Sequence, residues 1–593
     1  MVVTEVVELE GGEEFVITRV LTQTIPTPTP TFAPTIPLKP VVVTLDIGMI
    51  GGYGPLDPQR ISDRNSASLV ENLYAGLTNF DFRTNQVEPE LAQSWEVSPD
   101  GVTWRFFLRE DVYWMRAAPE ERERLGIGEE ESPLVSAEIL RPVTAGDVVF
   151  ALQRACRAPT KTPDVFVLFI IAGCEQLGSS DTRIAQAALA TFGARALGNT
   201  TLEIRLRQPA SYFLAITTMS AFRPIPAEQA NNPDVNWLDP TQLLSSGPFF
   251  ISSRSNFDPA SGDLLTVLQR NPSWPIPFAG GNVDRVNIYN LDNVEDAFGR
   301  WDNQELDIAP LPRREAERFL ENPLIRPPVA TTDEVFYLGF NLDSPIFGNP
   351  EVRRAFSAAI DRESLVTEVH DAAGAGMRHF TPPGALMAPP INEIGVGYSP
   401  DYARFQLAAS GFGACRLLGD IRYMISSSDI DLQHAETMRD MWVEELGCDQ
   451  NQFKIEQVQF GTLLANTRPE AGPSRPDIWD LAWASFYPDA NNWLYDVLHC
   501  TGGENRPNRP CSEVDTLLTQ AAIAPPDARP SLYRQAENLF FGDSGLFPIA
   551  PLYVRGELLV TQVWLQYTPS LFGGEHFDTY FIEQEAKNLE QGQ

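Results

Sequence analysis

Histidine and the basic residues are scarce in this sequence, and their scarcity excludes several classes of protein. The five histidines form no HExxH pair, and the chain contains neither GxSxG nor GxGxxG, the usual signatures of metalloproteases, serine hydrolases and dinucleotide-binding sites. Acidic residues outnumber Lys plus Arg by 79 to 44, and the resulting net charge of −35 repels nucleic-acid phosphates. We therefore expect a protein that is not an enzyme and has no cofactor, no metal and no nucleic-acid partner. A Ser/His/Asp triad assembled only by the fold stays open.

Long hydrophobic runs are also missing. A membrane-spanning helix needs about 18 or more apolar residues in succession. The longest apolar segment, Val165 to Ala172, is much shorter and is predicted to be buried core. Residues after Met1 include neither a basic segment nor an apolar one, so we expect the leader of an exported protein to be absent from this chain.

The six cysteines are even in number and include no CxxC pair, which argues against zinc or thioredoxin-like chemistry. Taken in order they predict three local disulfides that would each stabilise the fold by roughly 2–4 kcal/mol. The alternative is six buried free thiols in a cytosolic protein. The predicted pairs are Cys156–Cys174, Cys415–Cys448 and Cys500–Cys511.

The N-terminal segment, residues 1–40, is predicted to be a disordered stalk. Its second half reads TIPTPTPTFAPTIPLKP, and repeated Thr-Pro favours extended polyproline II over helix. Such a stalk suits a domain anchored to a membrane surface, as in a lipoprotein, because it holds the folded body away from the bilayer. A tail without function is the alternative.

The remaining sequence alternates strand and helix patterns, which predicts a mixed α/β protein of more than one domain. Residues 67–74 are predicted to be helical, and Gly101 to Trp114 to contain a hairpin. Thr144 with Asp147 three positions later predicts a capping box at the start of a helix. Alternating Leu and Ile in residues 201–210 predict a strand.

Several blocks of sequence resemble family 5 of the extracellular solute-binding proteins, the peptide- and nickel-binding group. The first block runs from Ser68 to Trp114 and reads SLVENLYAGLTNFDFRTNQVEPELAQSWEVSPDGVTWRFFLREDVYW. The others follow in the order found in that family: Pro142 to Ala155, Ser245 to Ile251, Leu268 to Trp274, Phe340 to Leu365 and Pro476 to Leu494. The resemblance covers about residues 40–590.

This resemblance implies a two-lobed periplasmic-binding-protein-like fold with an extra inserted domain. Domain I would be discontinuous, domain II would be the insertion, and domain III would form the opposing lobe, with ligand enclosed by hinge closure. The implied boundaries are 41–65, 204–310 and 548–593 for domain I, 66–203 for domain II, and 311–547 for domain III.

The resemblance also points to candidate ligand-binding residues. In the family an Asp within a Trp-x-x-Asp-Tyr-x-Asp/Glu-Pro pattern commonly receives the amino group of a bound peptide. Here Phe486 occupies the position of that Asp, and Ala490 replaces the Pro. We therefore expect ligand binding that does not depend on a charged N-terminus. The candidate ligand-binding residues are Trp483, Phe486, Tyr487, Asp489 and Trp493, with core packing or loop capping as their alternative roles.

The function implied by the resemblance is that of the receptor of an ABC importer, located in the periplasm or on the cell surface. Its partners would be a membrane permease and its ATPase, and it would be a monomer. Peptides are the expected ligands, and oligosaccharides are the chief alternative because aromatic side chains can stack on sugar rings. A hydrolase or sensor built on the same scaffold is a further alternative.

Overall fold

The structure is a computed structural model that describes residues 2–8, 14–20, 42–118, 134–258, 263–278, 280–315, 329–331, 334–370, 374–570 and 572–591. The chain divides into two units, Met1–Val42 and Val43–Gln593. The second unit is a mixed α/β body, as the sequence predicts.

The strands, in chain order, are β1 (Val2–Glu8), β2 (Glu14–Val20), β3 (Thr44–Ile50), β4 (Thr78–Asp81), β5 (Gln86–Pro89), β6 (Ala92–Val97), β7 (Thr103–Leu108), β8 (Tyr113–Ala117), β9 (Ala137–Pro142), β10 (Ala194–Ala196), β11 (Thr201–Arg205), β12 (Phe249–Asp258), β13 (Asp263–Arg270), β14 (Arg285–Leu291), β15 (Ile308–Pro310), β16 (Val329–Thr331), β17 (Val335–Phe340), β18 (Gly374–Gly376), β19 (Ile421–Ser426), β20 (Phe453–Val458), β21 (Ile478–Trp483), β22 (Ile549–Arg555), β23 (Glu557–Thr561), β24 (Leu565–Gln566) and β25 (Phe581–Ile582).

The α-helices, in chain order, are α1 (Arg64–Leu73), α2 (Ala145–Ala155), α3 (Cys174–Leu177), α4 (Thr182–Thr191), α5 (Phe213–Ile216), α6 (Ala227–Ala230), α7 (Val294–Asp302), α8 (Pro350–Ala358), α9 (Arg362–His370), α10 (Pro400–Ala409), α11 (Asp429–Leu446), α12 (Phe460–Asn466), α13 (Ala490–Leu498), α14 (Glu513–Ile523), α15 (Arg529–Phe541) and α16 (Gln584–Glu590). Among these helices none combines the length and the apolar character that a bilayer-spanning segment needs.

Two large sheets organise the body. One has seven strands in the order β12-β13-β14-β3-β15-β23-β16, and the other has six in the order β18-β22-β17-β21-β19-β20. In the first, β3 lies parallel to β14 and β15, while β13 pairs antiparallel with β14. Both sheets draw strands from distant parts of the sequence, so each is assembled by tertiary contacts.

A third sheet has four strands in the order β10-β11-β7-β6. The burial of β7 alternates because one of its faces packs on the core. The hairpin predicted between Gly101 and Trp114 is wrong. β7 pairs with β6 and β11, whereas β8 pairs with β9 in a separate sheet. Alternation identified the strand but carried no information about its partner.

Two hydrophobic cores divide the body into two lobes. One core surrounds the seven-stranded and four-stranded sheets, and the other surrounds the six-stranded sheet. We call residues 43–331 and 557–591 the first lobe, and residues 334–555 the second lobe. The α/β, two-lobed fold predicted from the sequence is therefore present.

The chain crosses between the lobes at two adjacent places. It leaves the seven-stranded sheet after β16 and enters the six-stranded sheet at β17, and it returns through Gly556, between β22 and β23. The two crossings are joined where the Arg555 backbone N donates to the Glu334 carbonyl O at 3.1 Å. The two crossings therefore lie side by side, and a hinge at this place stays a prediction.

Some predicted domain boundaries do not match the sheets. β16 lies in the seven-stranded sheet although residues 311–547 were assigned to domain III. β22 lies in the six-stranded sheet although residues 548–593 were assigned to domain I. β11 also extends past the predicted end of domain II at residue 203. The division into three domains stays a prediction, because Val43–Gln593 is one compact unit.

All six cysteines are paired as predicted. The disulfides are Cys156–Cys174, Cys415–Cys448 and Cys500–Cys511. The predicted capping box is also present, because the Thr144 backbone N donates to the Asp147 carboxylate at 2.9 Å at the start of α2.

The N-terminal unit contains an antiparallel pair of strands, β1 with β2. The prediction of disorder over residues 1–40 is wrong for these two strands. The alternating Val, Thr and Glu of this segment suit extended pairing, since β-branched residues favour strands. The Thr/Pro-rich part of the predicted stalk lies outside the described residues.

Candidate functional site: the cleft between the lobes

The loop between β21 and α13 carries the residues that the sequence singled out. β21 ends at Trp483, and α13 begins at Ala490 with Asp489 as its N-cap. The Asp489 carboxylate accepts a hydrogen bond from the Asn491 backbone N at 2.9 Å, which satisfies a free donor of the first helical turn. The loop conformation is therefore fixed by the start of the helix that follows it.

Asn492 organises the same loop from within α13. Its Oδ1 accepts hydrogen bonds from the indole Nε1 of Trp483 at 3.1 Å and from the backbone N of Phe486 at 3.2 Å. Its amide Nδ2 donates to Asp496 Oδ2 at 3.1 Å. Asn492 is completely buried, so these bonds hold the two aromatic residues in fixed positions.

Tyr487 bridges the lobes. Its ring stacks on Tyr212 of the first lobe with 5.7 Å between ring centroids, and its hydroxyl donates to Asp496 Oδ2 at 2.7 Å. Burial raises the pKa of Asp496 to about 7, while hydrogen bonds from Tyr487 and Asn492 act in the opposite direction. Tyr487 belongs to the core of the first lobe although it is covalently part of the second.

Phe486 also contacts the first lobe. Its ring meets Phe166 edge to face with centroids 4.9 Å apart, and it meets Trp483 in the same way at 5.3 Å. Phe166 remains 47% exposed, although the sequence predicted residues 165–172 to be buried core. That prediction is wrong for Phe166, because the segment forms a short 3₁₀ helix, Val165–Ile170, with one face turned toward the second lobe.

Asp489 is held by contacts within the second lobe. Its carboxylate receives two hydrogen bonds from the Arg529 guanidinium, at 2.8 Å and 2.7 Å, and both side chains are almost fully buried. Arg529 also donates from Nε to the Ala521 carbonyl at 3.0 Å, so the pair joins the loop to α14 and α15. Both carboxylate oxygens are engaged inside the second lobe, which supports the loop-capping alternative.

Trp493 is completely buried and packs edge to face on Phe572, with centroids 6.1 Å apart. Its Nε1 has no hydrogen-bond partner within the described part of the chain. A ring in this position offers no free face to a ligand, so its environment supports the core-packing alternative.

A cavity of about 150 Å³, which we call the central cavity, separates the lobes beside Phe486. The second lobe contributes Ser485 to Pro488, and the first lobe contributes apolar and acidic side chains. The first-lobe residues of the lining include Glu71, Phe80, Asp164, Met219, Phe572 and His576. The cavity is thus lined by aromatic rings and carboxylates.

Two further cavities adjoin the central one. The first, of about 380 Å³, lies between Phe166 and Tyr212 on one side and Tyr495 and Asp496 on the other, and it shares Tyr487 with the central cavity. We call it the aromatic cavity. Both cavities lie between residues of the two lobes, and we call them together the cleft.

The second adjoining cavity, of about 80 Å³, lies in the first lobe and shares Glu71 and His576 with the central cavity. We call it the acidic cavity. Burial raises the pKa of Glu90 in its wall to about 8, although Arg223 acts in the opposite direction. Burial also raises the pKa of Asp578. A carboxylic acid in this environment can donate a hydrogen bond near neutral pH.

Sequence reasoning missed the first-lobe half of the cleft. Asp164, Phe166 and Tyr212 lie hundreds of residues from the Trp483 loop in the sequence, and no local pattern marks them as ligand-facing. Asn492 and Arg529 were also missed, although the two adjacent amides Asn491 and Asn492 in the first turn of a largely apolar helix were a signal of buried hydrogen bonding.

One group of potential metal ligands occurs among the described residues, with the donor atoms of His499, Cys500 and Asp515 within 4.8 Å of one another. Its donors have structural partners. Cys500 is bonded to Cys511, and the Asp515 carboxylate accepts two hydrogen bonds from Arg509. This group therefore gives no support to a metal site.

Comparison with known proteins decides the family. A profile of the bacterial extracellular solute-binding proteins, family 5, matches residues 86–505. The chain belongs to this family. The resemblance drawn from the sequence blocks is confirmed, and this family 5 protein is a solute-binding protein.

Its relatives match most of the chain. The probable deoxycholate-binding periplasmic protein YgiS of Escherichia coli strain K12 is 24% identical, over 84% of this chain and 85% of the relative. The periplasmic oligopeptide-binding protein OppA of Salmonella typhimurium strain LT2 is also 24% identical, over 85% of this chain and 86% of the relative. The periplasmic murein tripeptide binding protein MppA, solved in an unliganded open form, superposes with a TM-score of 0.72 at 21% identity, covering 88% of this chain and 94% of that one. The two-lobed fold is confirmed by this likeness.

Proposed function

We propose that this protein is the extracytoplasmic receptor of an ABC importer and that it captures peptides in the cleft and delivers them to a membrane permease and its ATPase. The observation that carries the proposal is the cleft itself. It is lined from both lobes. We expect it to open and close about the two places where the chain crosses between the lobes.

The charge of the central cavity supports peptides over anionic apolar ligands. Its ionisable lining includes Glu71, Asp164 and His576 but neither Lys nor Arg. A carboxylate-bearing steroid would meet repulsion there, whereas the amino end of a peptide is attracted. YgiS is named for deoxycholate and OppA for oligopeptides, and both are 24% identical to this chain, so sequence identity does not distinguish these two ligands and the cleft has to.

The aromatic side chains support peptides over oligosaccharides. Stacking on sugar requires an accessible ring face. Trp493 has none, and Trp483 is partly buried with its indole N–H bonded to Asn492. Phe486 and Phe166 meet edge to face, so their contact fills space that a sugar ring would need.

The proposed role requires no chemistry on the ligand, and we infer that the protein is not an enzyme. The test is to incubate the protein with a random tetrapeptide pool, remove unbound peptide, denature the protein and identify the retained peptides by mass spectrometry. We expect retained peptides of unchanged mass, a higher melting temperature with excess pool, and a smaller radius of gyration by X-ray scattering. Hydrolysed peptides would favour the hydrolase alternative, and an absence of retained peptide would refute peptide capture.

We further propose that the native protein is a monomer held at a membrane surface by its N-terminal segment. The Thr-Pro repeat supports this, because it favours an extended spacer. Fractionation of cells expressing the complete gene, with size-exclusion chromatography of the released protein, tests both points.

A further inference from the structure

Asp164 is an acidic residue of the first lobe that lines the central cavity together with Phe486 and Ser485. It lies two residues before Phe166, the ring that contacts Phe486. The chain therefore brings a carboxylate to the side of the cleft that faces Phe486.

The Asp164 carboxylate is half-buried and makes no hydrogen bond or ion pair with any described residue. Burial raises the pKa of Asp164, and no neighbouring charge offsets that effect. The other acid of the central cavity, Glu71, differs because Arg223 forms an ion pair with it. Asp164 is thus the carboxylate in the cavity that a ligand cation would neutralise, and an unpaired half-buried charge disfavours the empty cleft.

The loop that carries Asp164 is closed at its base. The Cys156–Cys174 disulfide joins the end of α2 to the start of α3 and encloses residues 157–173. The far side of the loop is fixed where the Arg207 backbone N donates to the Ile170 carbonyl at 2.8 Å. These restraints hold Asp164 in place without using its side chain.

From this arrangement we propose that Asp164 is the cation-binding residue of the cleft and selects peptides with a free amino terminus. The inference rests on the proposed function, because it assumes a peptide ligand. Phe486 removes the carboxylate from the position of the family pattern, and for that reason we expected binding to be independent of the amine. The structure brings an acid from the opposite lobe into the same cavity. A role for Asp164 therefore predicts a preference for the free amine, whereas the substitution at Phe486 alone predicts none.

The test uses a random tetrapeptide pool without Lys, Arg or His, mixed in equal amount with an N-acetylated copy of the same pool. The protein retains peptide from the mixture, and mass spectrometry gives the ratio of free to acetylated peptide. A charge-assisted contact in a closed cleft predicts a preference of tenfold or more for the free amine, equivalent to about 1.4 kcal/mol.

Asp164→Asn keeps the shape of the side chain and removes its charge, so we expect it to lower the ratio to near one while total retention of acetylated peptide is unchanged. Asp164→Glu should keep part of the preference. The matched control is Asp234→Asn, because Asp234 is exposed and lies outside the three cavities. We expect this control to keep the wild-type ratio.

Each outcome separates the inference from the proposed function. Equal retention of both pools by the wild type, or a tenfold preference that survives Asp164→Asn, overturns the role of Asp164 and leaves peptide capture standing. Retention of neither pool overturns both. Phe486→Asp in the Asp164→Asn background should restore a preference for the free amine, which checks that the variant cleft still closes on peptide.

Discussion

The buried Asp489–Arg529 pair allows a quantitative test of whether Asp489 is structural. Arg529 donates two hydrogen bonds to the Asp489 carboxylate, and the side chains are 2% and 0% exposed. Removing one member of a buried ion pair costs about 3–5 kcal/mol, because the other charge remains buried without compensation. Loss of the N-cap adds about 1 kcal/mol. Asp489→Ala should therefore lower the free energy of unfolding by about 4–6 kcal/mol.

The measurement is urea-induced unfolding followed by tryptophan fluorescence. Asp181→Ala is the matched control, since Asp181 also caps a helix and accepts from a backbone N at 2.9 Å, but its pairing with Arg183 is exposed. That variant should cost about 1 kcal/mol. The double variant Asp489→Ala with Arg529→Met should recover much of the loss, because apolar replacement of a buried pair is often neutral.

Two results would refute this account of Asp489. One is a cost for Asp489→Ala no larger than that of Asp181→Ala. The other is a stable Asp489→Ala protein that no longer retains tetrapeptides, which would show that the Asp489 carboxylate binds the ligand.

Three further predictions concern pH, the disulfides and the contact between the lobes. Because the folded-state pKa of Glu90 is about 8 against an ordinary value of 4.5, the folded state holds a proton that the unfolded state releases between these pH values, and stability falls as pH rises through that window. Glu90→Gln should remove up to ~1.4 kcal/mol of this decline per pH unit. The control is Glu96→Gln, because Glu96 is exposed and its loss should leave the dependence of melting temperature on pH unchanged. The same pH dependence for wild type and Glu90→Gln would contradict the raised pKa of Glu90. Peptide mapping of non-reduced protein from its native compartment should recover three bridged pairs, including Cys415–Cys448, and six alkylatable thiols would contradict export to an oxidising compartment. Tyr212→Ala should enlarge the radius of gyration in the absence of peptide, since it removes the ring that stacks on Tyr487, and an unchanged radius would show that this contact does not hold the lobes together.

Local sequence was sufficient for several elements. The capping box at Thr144 and Asp147 needs only groups three positions apart, so its chemistry is visible in the sequence. The three disulfides join cysteines that are neighbours in sequence order, so pairing them in that order predicted them. Ordered blocks over most of the chain identified the family, because their sequence and spacing together are far more specific than any single motif.

Sheet membership required the tertiary structure. β16 and β22 each join the sheet on the other side of a predicted boundary, although β22 carries the same apolar character as the strands around it. An apolar strand buries its faces equally well in either sheet, and the partner is selected by packing among segments far apart in the chain.

The roles of the candidate residues were likewise settled by distant partners. The sequence by itself determined that Phe486 stands in place of an acid and that Asp489 could cap a helix. Only the tertiary structure supplied Arg529 to neutralise Asp489, Tyr212 to cover Tyr487, and an unpaired carboxylate at Asp164 beside the apolar ring of Phe486. Electrostatic and packing energies depend on distance in space, and a linear sequence records separation along the chain instead.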